Sequence, residues 1–264
     1  MVKLIASTCL DYNPKSDEIV HYFGKFSENY ESNHSRKKYY HVKHFEAKYD
    51  QYIFHKCWRP IGQIYIMGLE DKHNNYYDTL IQLCKMNAPL HRVYRYKAIK
   101  DKDDMSAYIG ATQNHPDCIL DMISNGYNNC LFLEDDFLFT DTVRDNQKML
   151  HTFWKRKYQF DIVFLAASKL HERRHFDDLL INSYQECTTS SGYILNKKTV
   201  QRVYDVVKEG LEKMKVNPQN RDFCIDRYWR RLQSDNKVFI FKRKLGFQKP
   251  SYSELKKSVA IFLD

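Results

Sequence analysis

Glycine and proline are scarce in this sequence, with 8 and 6 residues respectively in a chain of 264. Tight turns depend on these two residues, so their scarcity argues against an all-β protein with many hairpins. No apolar run approaches the roughly 18 residues that a membrane span needs. The first ten residues are too few, and too soon followed by Asp11, to form a signal peptide. We therefore expect a soluble, cytoplasmic protein.

Paired cysteine motifs are also absent. The seven cysteines are scattered and none forms a CxxC pair, so the sequence indicates neither a zinc site nor a disulfide framework. Cys118, Cys130 and Cys224 lie within apolar patterns, where we expect them to pack as small hydrophobic residues. This usage is typical of a reducing compartment.

Hydrophobic and aromatic residues are plentiful, at 43% and 15% of the chain, which excludes a disordered protein. The length predicts one large domain, which we place at residues 61–264, with an N-terminal extension of uncertain role at 1–60. The formal net charge of +9 indicates an anionic partner, for which nucleic acid, a membrane surface and a nucleotide phosphate are the alternatives.

The N-terminal extension contains a run of basic and aromatic residues at 36–44 (RKKYYHVKH). Such interleaving is typical of proteins that stack on bases and contact phosphates. A solvated face that covers one edge of the domain is the interpretation that we favour for it.

Alternating strand and helix patterns follow from residue 62 onwards. A strand at 63–67, a helix at 77–86 and a strand at 91–99 predict a βαβ unit. A helix is expected to begin at His115–Pro116, since proline suits a first helical turn, and to stop at Gly126. Further strands are predicted at 161–165, 191–195 and 237–241, and further helices at 142–157 and 199–214. The order predicts an α/β fold with a sheet flanked by helices.

One strand of this pattern ends in acids. Four apolar residues, 130–133, are followed directly by Glu134, Asp135 and Asp136. Adjacent carboxylates at the end of a buried strand repel one another and resist desolvation, and a divalent cation would relieve both costs. The carboxyl end of a strand is also where open α/β sheets bind ligands. The alternative is a solvated acidic turn.

The polar stretch at 168–189 is long for a connection between two strands. We interpret it as a mobile lid that orders over a bound ligand.

From Gly62 to the end, the order of these segments resembles glycosyltransferase family 25, which includes bacterial lipopolysaccharide glycosyltransferases and the collagen hydroxylysine galactosyltransferases. The segments that carry the resemblance are IYIMGL, residues 109–115 (IGATQNH), LFLEDD, DIVFL, the Gly192–Tyr193 strand, Ile225–Asp226 and the terminal QKPSYS. The resemblance implies a GT-A-type enzyme with a Rossmann-like sheet, in which an acidic motif holds Mn²⁺ or Mg²⁺ against the diphosphate of a sugar donor.

The resemblance also implies roles for individual residues. The metal is assigned chiefly to Asp136, aided by Glu134, because strand alternation puts both on one side. Asp135 is expected to turn toward the ribose or the sugar. The other donor-binding positions are Gly68, Leu69, Asn114 and His115, and the acceptor or cleft positions are Gly192, Gln248 and Ser251. For His115 a cap or a buried, hydrogen-bonded histidine is the alternative, and for Gln248 and Ser251 it is a C-terminal turn.

Family 25 enzymes resemble inverting transferases, which need a base on an element separate from the metal motif. The matching position is Asp226, and the alternative for it is an exposed acid paired with Arg230 at i+4. The implied partners are a UDP-sugar donor and a glycan or protein-linked acceptor, with a homodimer possible in principle and no DNA expected.

The sequence departs from the family pattern after the opening strand. Residues 67–72 (MGLEDK) lack the Asn and the Arg residues with which the family grips the nucleotide, and Asn114 stands where the family has Ser. The sugar and the nucleotide therefore stay open. A catalytically inactive relative, a basic nucleic-acid-binding protein and a metal-dependent nuclease or phosphotransferase are the alternative functions.

Overall fold

The computed structural model describes residues 54–69, 73–98, 106–140, 142–166, 174–184, 187–235 and 237–249, and the backbone of 2–6, 19–23, 251–253 and 258–260. The basic and aromatic run at 36–44 lies outside the described residues. The division of the chain at residue 60 therefore stays a prediction.

The described strands are β1 (Val2–Ala6), β2 (Ile19–Phe23), β3 (Gln63–Leu69), β4 (Val93–Ala98), β5 (Asn129–Glu134), β6 (Phe137–Phe139), β7 (Ile162–Phe164), β8 (Arg174–His175), β9 (Leu180–Asn182), β10 (Gly192–Asn196), β11 (Val238–Phe241), β12 (Gly246–Gln248), β13 (Ser251–Ser253) and β14 (Ser258–Ala260). The α-helices are α1 (His73–Lys85), α2 (Ser106–Asn125), α3 (Val143–Lys155), α4 (Val200–Val216) and α5 (Ile225–Tyr228).

Eight of these strands form one mixed sheet in the order β4-β3-β5-β10-β7-β11-β9-β8. Strand β3 pairs in parallel with β4 and β5, and β7 pairs in parallel with β11. Strand β10 runs antiparallel between β5 and β7. The strand that ends in the acids therefore lies inside the sheet, with a parallel neighbour on one side and an antiparallel neighbour on the other.

Helices cover both faces of this sheet, which confirms the predicted α/β class. One core cluster joins the sheet to α1 and α3 through residues such as Leu83 and Phe153. The other joins it to α2 and α4 through residues such as Met122 and Val203. Strand β5 contributes side chains to both clusters, because Leu131 and Leu133 lie in the first cluster whereas Cys130 and Phe132 lie in the second. Burial on both faces explains why β5 is continuously apolar.

The predicted βαβ unit is present as β3, α1 and β4, with β3 and β4 parallel. Its first strand is longer than expected, because Gly68 and Leu69 continue β3 opposite Lys97 and Ala98 instead of forming a turn. The pairing with β4 holds these two residues in the sheet.

The predicted start of α2 is wrong. The helix begins at Ser106, so His115 and Pro116 lie in its middle and not in its first turn. A proline inside a helix removes one backbone hydrogen bond. Packing compensates here, since Thr112 and His115 before the proline and Cys118 after it are all buried. The predicted stop is correct, because Gly126 follows the helix with φ of +67°.

The interpretation of 168–189 as a mobile lid does not describe residues 174–182. Strands β8 and β9 form a hairpin there, and β9 pairs with β11 in the main sheet. Leu180 and Ile181 are buried, and the Asp177 carboxylate accepts hydrogen bonds from the backbone N–H groups of Leu179 and Leu180. This part of the stretch is an element of the core sheet.

Within the described residues, the cysteines are all free, and Cys118 and Cys130 are buried as expected, whereas Cys224 is half-buried. No helix in the described part of the chain is both long and apolar enough to cross a lipid bilayer.

Candidate functional site

The three acids lie where β5 ends and turns into β6. The neighbouring strands hold this turn through the backbone: Glu134 N–H donates to Ser191 O at 2.8 Å, and Asp135 N–H donates to Met67 O at 2.8 Å. From α1, the Thr79 hydroxyl contacts two carbonyl oxygens of the turn, Asp135 O at 2.8 Å and Phe137 O at 3.0 Å. Three elements therefore hold the acidic turn in place.

Glu134 and Asp136 project to the same side, as strand alternation predicts. Gln248 Nε2 lies 3.1 Å from Glu134 Oε2 and 3.1 Å from Asp136 Oδ2, and it donates to both. The other oxygen of the glutamate, Oε1, accepts a hydrogen bond of 2.7 Å from the Ser190 hydroxyl. The two carboxylates therefore converge on a single atom, Gln248 Nε2.

Gln248 reaches this point because β12 pairs antiparallel with β6, which places Gln248 opposite Phe137. Lys249 N–H extends the pairing by donating to Asp136 O at 2.8 Å. Close approach of β12 also needs Gly246, since a Cβ there would lie 2.2 Å from the Phe137 ring. The C-terminal segment therefore completes the acidic site.

The electrostatics of the site follow from burial and from like charge. Burial raises the pKa of Glu134, and the charge of Asp136 raises it further, whereas the hydrogen bond from Ser190 opposes the shift. Repulsion from Asp135 and Asp226 adds to the increase. The site therefore disfavours full ionisation unless a cation neutralises it.

Asp226 lies on the short helix α5, separate from the strand that carries the metal motif. The charge of Asp226 is the smallest of the causes that raise the pKa of Glu134. Burial raises the pKa of Asp226, and the charge of Arg227 opposes that shift. The candidate base and the acidic turn therefore belong to different elements of the fold.

His115 is buried beneath this site. Its Nε2 lies 4.0 Å from Glu134 Oε1, and its Nδ1 shares a hydrogen bond of 2.7 Å with the Tyr193 hydroxyl. Burial lowers the pKa of His115 to about 3, so the ring is neutral. The alternative of a buried, hydrogen-bonded histidine therefore describes its surroundings, and Asn114 beside it is also buried.

Gly68 lies directly under the Asp135 side chain. A Cβ at Gly68 would come within 2.1 Å of Asp135 Oδ2 and 2.6 Å of Asp135 Cβ, so only glycine fits there. The Asp135 side chain therefore lies against the end of β3. Leu69 is half-buried at the end of the same strand.

Gly192 was predicted to line the cleft, but it is buried and packs against a ring. A Cβ at Gly192 would lie 2.5 Å from Phe137 Cε2, which gives this glycine a packing role. Ser251 begins β13, and its side chain lies outside the described residues.

Sequence reasoning missed Ser190, Thr79 and the reach of Gln248 to both acids. Ser190 belongs to the run Thr188–Ser191, which precedes a strand that pairs with β5, and this adjacency is the signal that could have found it. Thr79 lies inside an amphipathic helix and carries no local signal. The contact of Gln248 depends on the pairing of β12 with β6, more than a hundred residues apart in sequence.

The donor set fits a hard cation that is shared with a substrate. Mg²⁺ and similar ions use one or two protein carboxylates together with phosphate and water oxygens. Glu134 and Asp136 supply such a pair. The described residues contain no group of three or more His, Cys, Asp or Glu side chains that could hold a metal ion alone. The site therefore does not fit a closed structural centre such as that of zinc.

Comparison with known proteins finds no family model and no curated protein sequence that matches the chain. Among solved structures, it is similar to mannose-1-phosphate geranyltransferase from Thermus thermophilus, with 11% identity, TM-score 0.38, and coverage of 68% of this chain and 73% of that one.

Two further solved structures are similar to the chain at the same level. One is A197 from STIV, with 13% identity, TM-score 0.39, and coverage of 77% of this chain and 95% of that one. The other is a glycosyltransferase involved in the glycosylation of the major capsid of PBCV-1, with 9% identity, TM-score 0.41, and coverage of 75% and 91%. Similarities this remote establish neither a family nor an activity, so membership of family 25 stays a hypothesis.

Proposed function

We propose that this chain is a metal-dependent, inverting glycosyltransferase of the GT-A type, related to family 25. It moves a sugar from a UDP-sugar to a hydroxyl group of a glycan or of a protein-linked acceptor. The observation that carries the proposal is the convergence of Glu134 and Asp136 on one point at the carboxyl end of β5.

In this proposal the acidic turn binds the donor. Glu134 and Asp136 hold Mn²⁺ or Mg²⁺, which when bound neutralises the negative charge of the departing diphosphate. The raised pKa of Glu134 supports this assignment, because a cation is the partner that relieves the cost of ionising it. The hydrogen bond from Ser190 orients the glutamate. The turn is held by three elements, so the carboxylates are preorganised.

Asp226 is the proposed base. Its carboxylate takes the proton of the acceptor hydroxyl while the acceptor oxygen bonds to the anomeric carbon and the bond to the diphosphate oxygen breaks. Burial raises the pKa of Asp226 and so makes its carboxylate more basic, which suits this step.

Gly68 and Asp135 are proposed to meet the ribose or the sugar of the donor. Their contact explains why the end of β3 keeps a glycine, although the family's Asn and Arg are absent there. Asn114 and His115 are buried, so they support the site from beneath Glu134 in this proposal and do not grip the donor directly.

Donor turnover tests the proposal. UDP-glucose, UDP-galactose and UDP-N-acetylglucosamine are each incubated with the protein and Mn²⁺, and UDP release is measured with and without EDTA. We expect metal-dependent release from at least one donor, and loss of it in Asp136→Ala. Binding of UDP and Mn²⁺ without release would favour the inactive relative, whereas cleavage of nucleic acid instead of UDP-sugar would favour a nuclease.

A further inference from the structure

Gln248 occupies the position in which a cation would sit between the two acids. Its Nε2 is 3.1 Å from an oxygen of each carboxylate, and the N–H groups carry partial positive charge toward both. This amide therefore offsets part of the repulsion between Glu134 and Asp136.

The backbone of Gln248 is fixed on both sides. Before it, Leu245 N–H donates to Leu165 O at 2.8 Å, and after it, Lys249 N–H donates to Asp136 O at 2.8 Å. Gly246 is packed against the Phe137 ring, which is itself buried. The main chain therefore holds Gln248 at the site, and rotation of its side chain is the movement that remains.

A glutamine side chain presents two ends of nearly equal size, a donor NH₂ and an acceptor oxygen. Rotation of the amide by half a turn exchanges them and points Oε1 to where Nε2 now lies. An uncharged amide oxygen is a good ligand for hard divalent cations.

We propose that Gln248 is a third ligand of the cation. Its Nε2 bridges the two carboxylates before metal binding, and its amide then turns to offer Oε1 to the cation. This inference rests on the proposed metal site. The resulting set of two carboxylate oxygens and one amide oxygen leaves the remaining positions for phosphate and water. It also explains why position 248 carries a neutral residue, since the charge of a Lys or Arg there would compete with the cation permanently.

The opposite interpretation is that Gln248 blocks the site and must leave before a cation enters. The two interpretations predict changes of opposite sign. Gln248→Met keeps a similar volume but has no oxygen, so Mn²⁺ binding should weaken if Gln248 is a ligand and tighten if Gln248 is a competitor.

The experiment measures Mn²⁺ affinity by electron paramagnetic resonance, with Mn²⁺ alone and with Mn²⁺ plus UDP. We expect Gln248→Met to weaken binding by about 10-fold or more. The matched control is Gln201→Met, because Gln201 Nε2 also donates to a carboxylate, Asp205 Oδ1 at 2.8 Å, but on the exposed face of α4. The Mn²⁺ affinity of Gln201→Met should equal that of the wild type. Unchanged or tighter binding in Gln248→Met overturns the proposal.

Gln248→Glu provides a second test in case the methionine variant does not fold. A third carboxylate in the ligand set should tighten Mn²⁺ binding and lower the melting temperature of the metal-free protein. Binding that is unchanged or weaker overturns the proposal. If wild type binds Mn²⁺ and Asp136→Ala does not, a wild-type Mn²⁺ affinity in Gln248→Met refutes only the proposal that Gln248 is a third ligand. If wild type binds no Mn²⁺ even with UDP, the proposed metal site fails as well.

Discussion

Replacement of Gly192 by alanine tests whether this residue packs the core or lines a ligand cleft. A Cβ there would lie 2.5 Å from Cε2, 2.8 Å from Cδ2 and 3.1 Å from Cζ of Phe137, all shorter than ordinary contact. Movement of the ring is limited, because Gly246 is packed against its other edge, where a Cβ would lie 2.2 Å from Cζ and 2.6 Å from Cε1. The added methyl group must therefore strain the ring or the two strands.

The expected loss of stability is about 1–2 kcal/mol, from an overpacking cost of about 1–3 kcal/mol less the entropy gained by removing a glycine from the unfolded chain. Urea unfolding of the metal-free protein measures it. Phe137→Leu removes the ring atoms Cε2 and Cζ, so the double variant should recover part of the loss, with a coupling of at least about 0.5 kcal/mol.

Gly62→Ala is the matched control, since a Cβ there would meet Tyr127 at 3.1 Å, a milder contact with a half-buried ring. It should cost less than Gly192→Ala. The reasoning is refuted if Gly192→Ala keeps full stability, or if its cost adds to that of Phe137→Leu without coupling. Full stability combined with lost UDP-sugar turnover would place Gly192 in the cleft.

Three further predictions concern the acids and their partners. Asp226→Asn should lower the rate of sugar transfer by at least about a hundredfold, because the Asp226 carboxylate serves as the base. The affinities for Mn²⁺ and UDP should stay within error. An equal loss of UDP binding would make Asp226 a donor ligand instead. Because its pKa is raised on folding, Glu134 stabilises the metal-free protein most at acidic pH, and this contribution is lost as pH rises through the raised pKa. The urea midpoint, measured in EDTA, should therefore fall less from acidic to alkaline pH in Glu134→Gln than in wild type. An equal fall in the two proteins would show that Glu134 does not carry the effect. Ser190→Ala should weaken Mn²⁺ binding about tenfold, since the glutamate loses the donor that orients it; isotherms that overlay those of wild type would contradict this role.

The local sequence pattern was sufficient to predict strand β5 and to predict that Glu134 and Asp136 lie on the same side. The apolar run 130–133 is buried on both faces, and the period of a strand puts Glu134 and Asp136 together regardless of the rest of the fold. The role of Asp226 as a base rests on the resemblance to a family and stays a prediction.

Long-range contacts account for what local pattern could not supply. Gln248 meets the acids because β12 pairs with β6, and no local signal specifies that partner. The extent of α2 was misjudged because proline usually marks a helix boundary, whereas burial of Thr112 and His115 keeps the helix intact ahead of Pro116. The hairpin of β8 and β9 looked irregular because each strand is only two or three residues long.

The central claim is that the acidic turn at the end of β5 binds a divalent cation together with the donor diphosphate. Thermal unfolding of wild type and Asp136→Ala with EDTA, Mn²⁺, UDP, and Mn²⁺ plus UDP tests it most directly. At ligand concentrations about 100 times the dissociation constant, Mn²⁺ plus UDP should stabilise wild type by about 2.7 kcal/mol, or roughly 5–10 °C. Asp136→Ala should show no shift beyond that of UDP alone. A full Mn²⁺-dependent shift in Asp136→Ala would place the metal elsewhere and contradict the account.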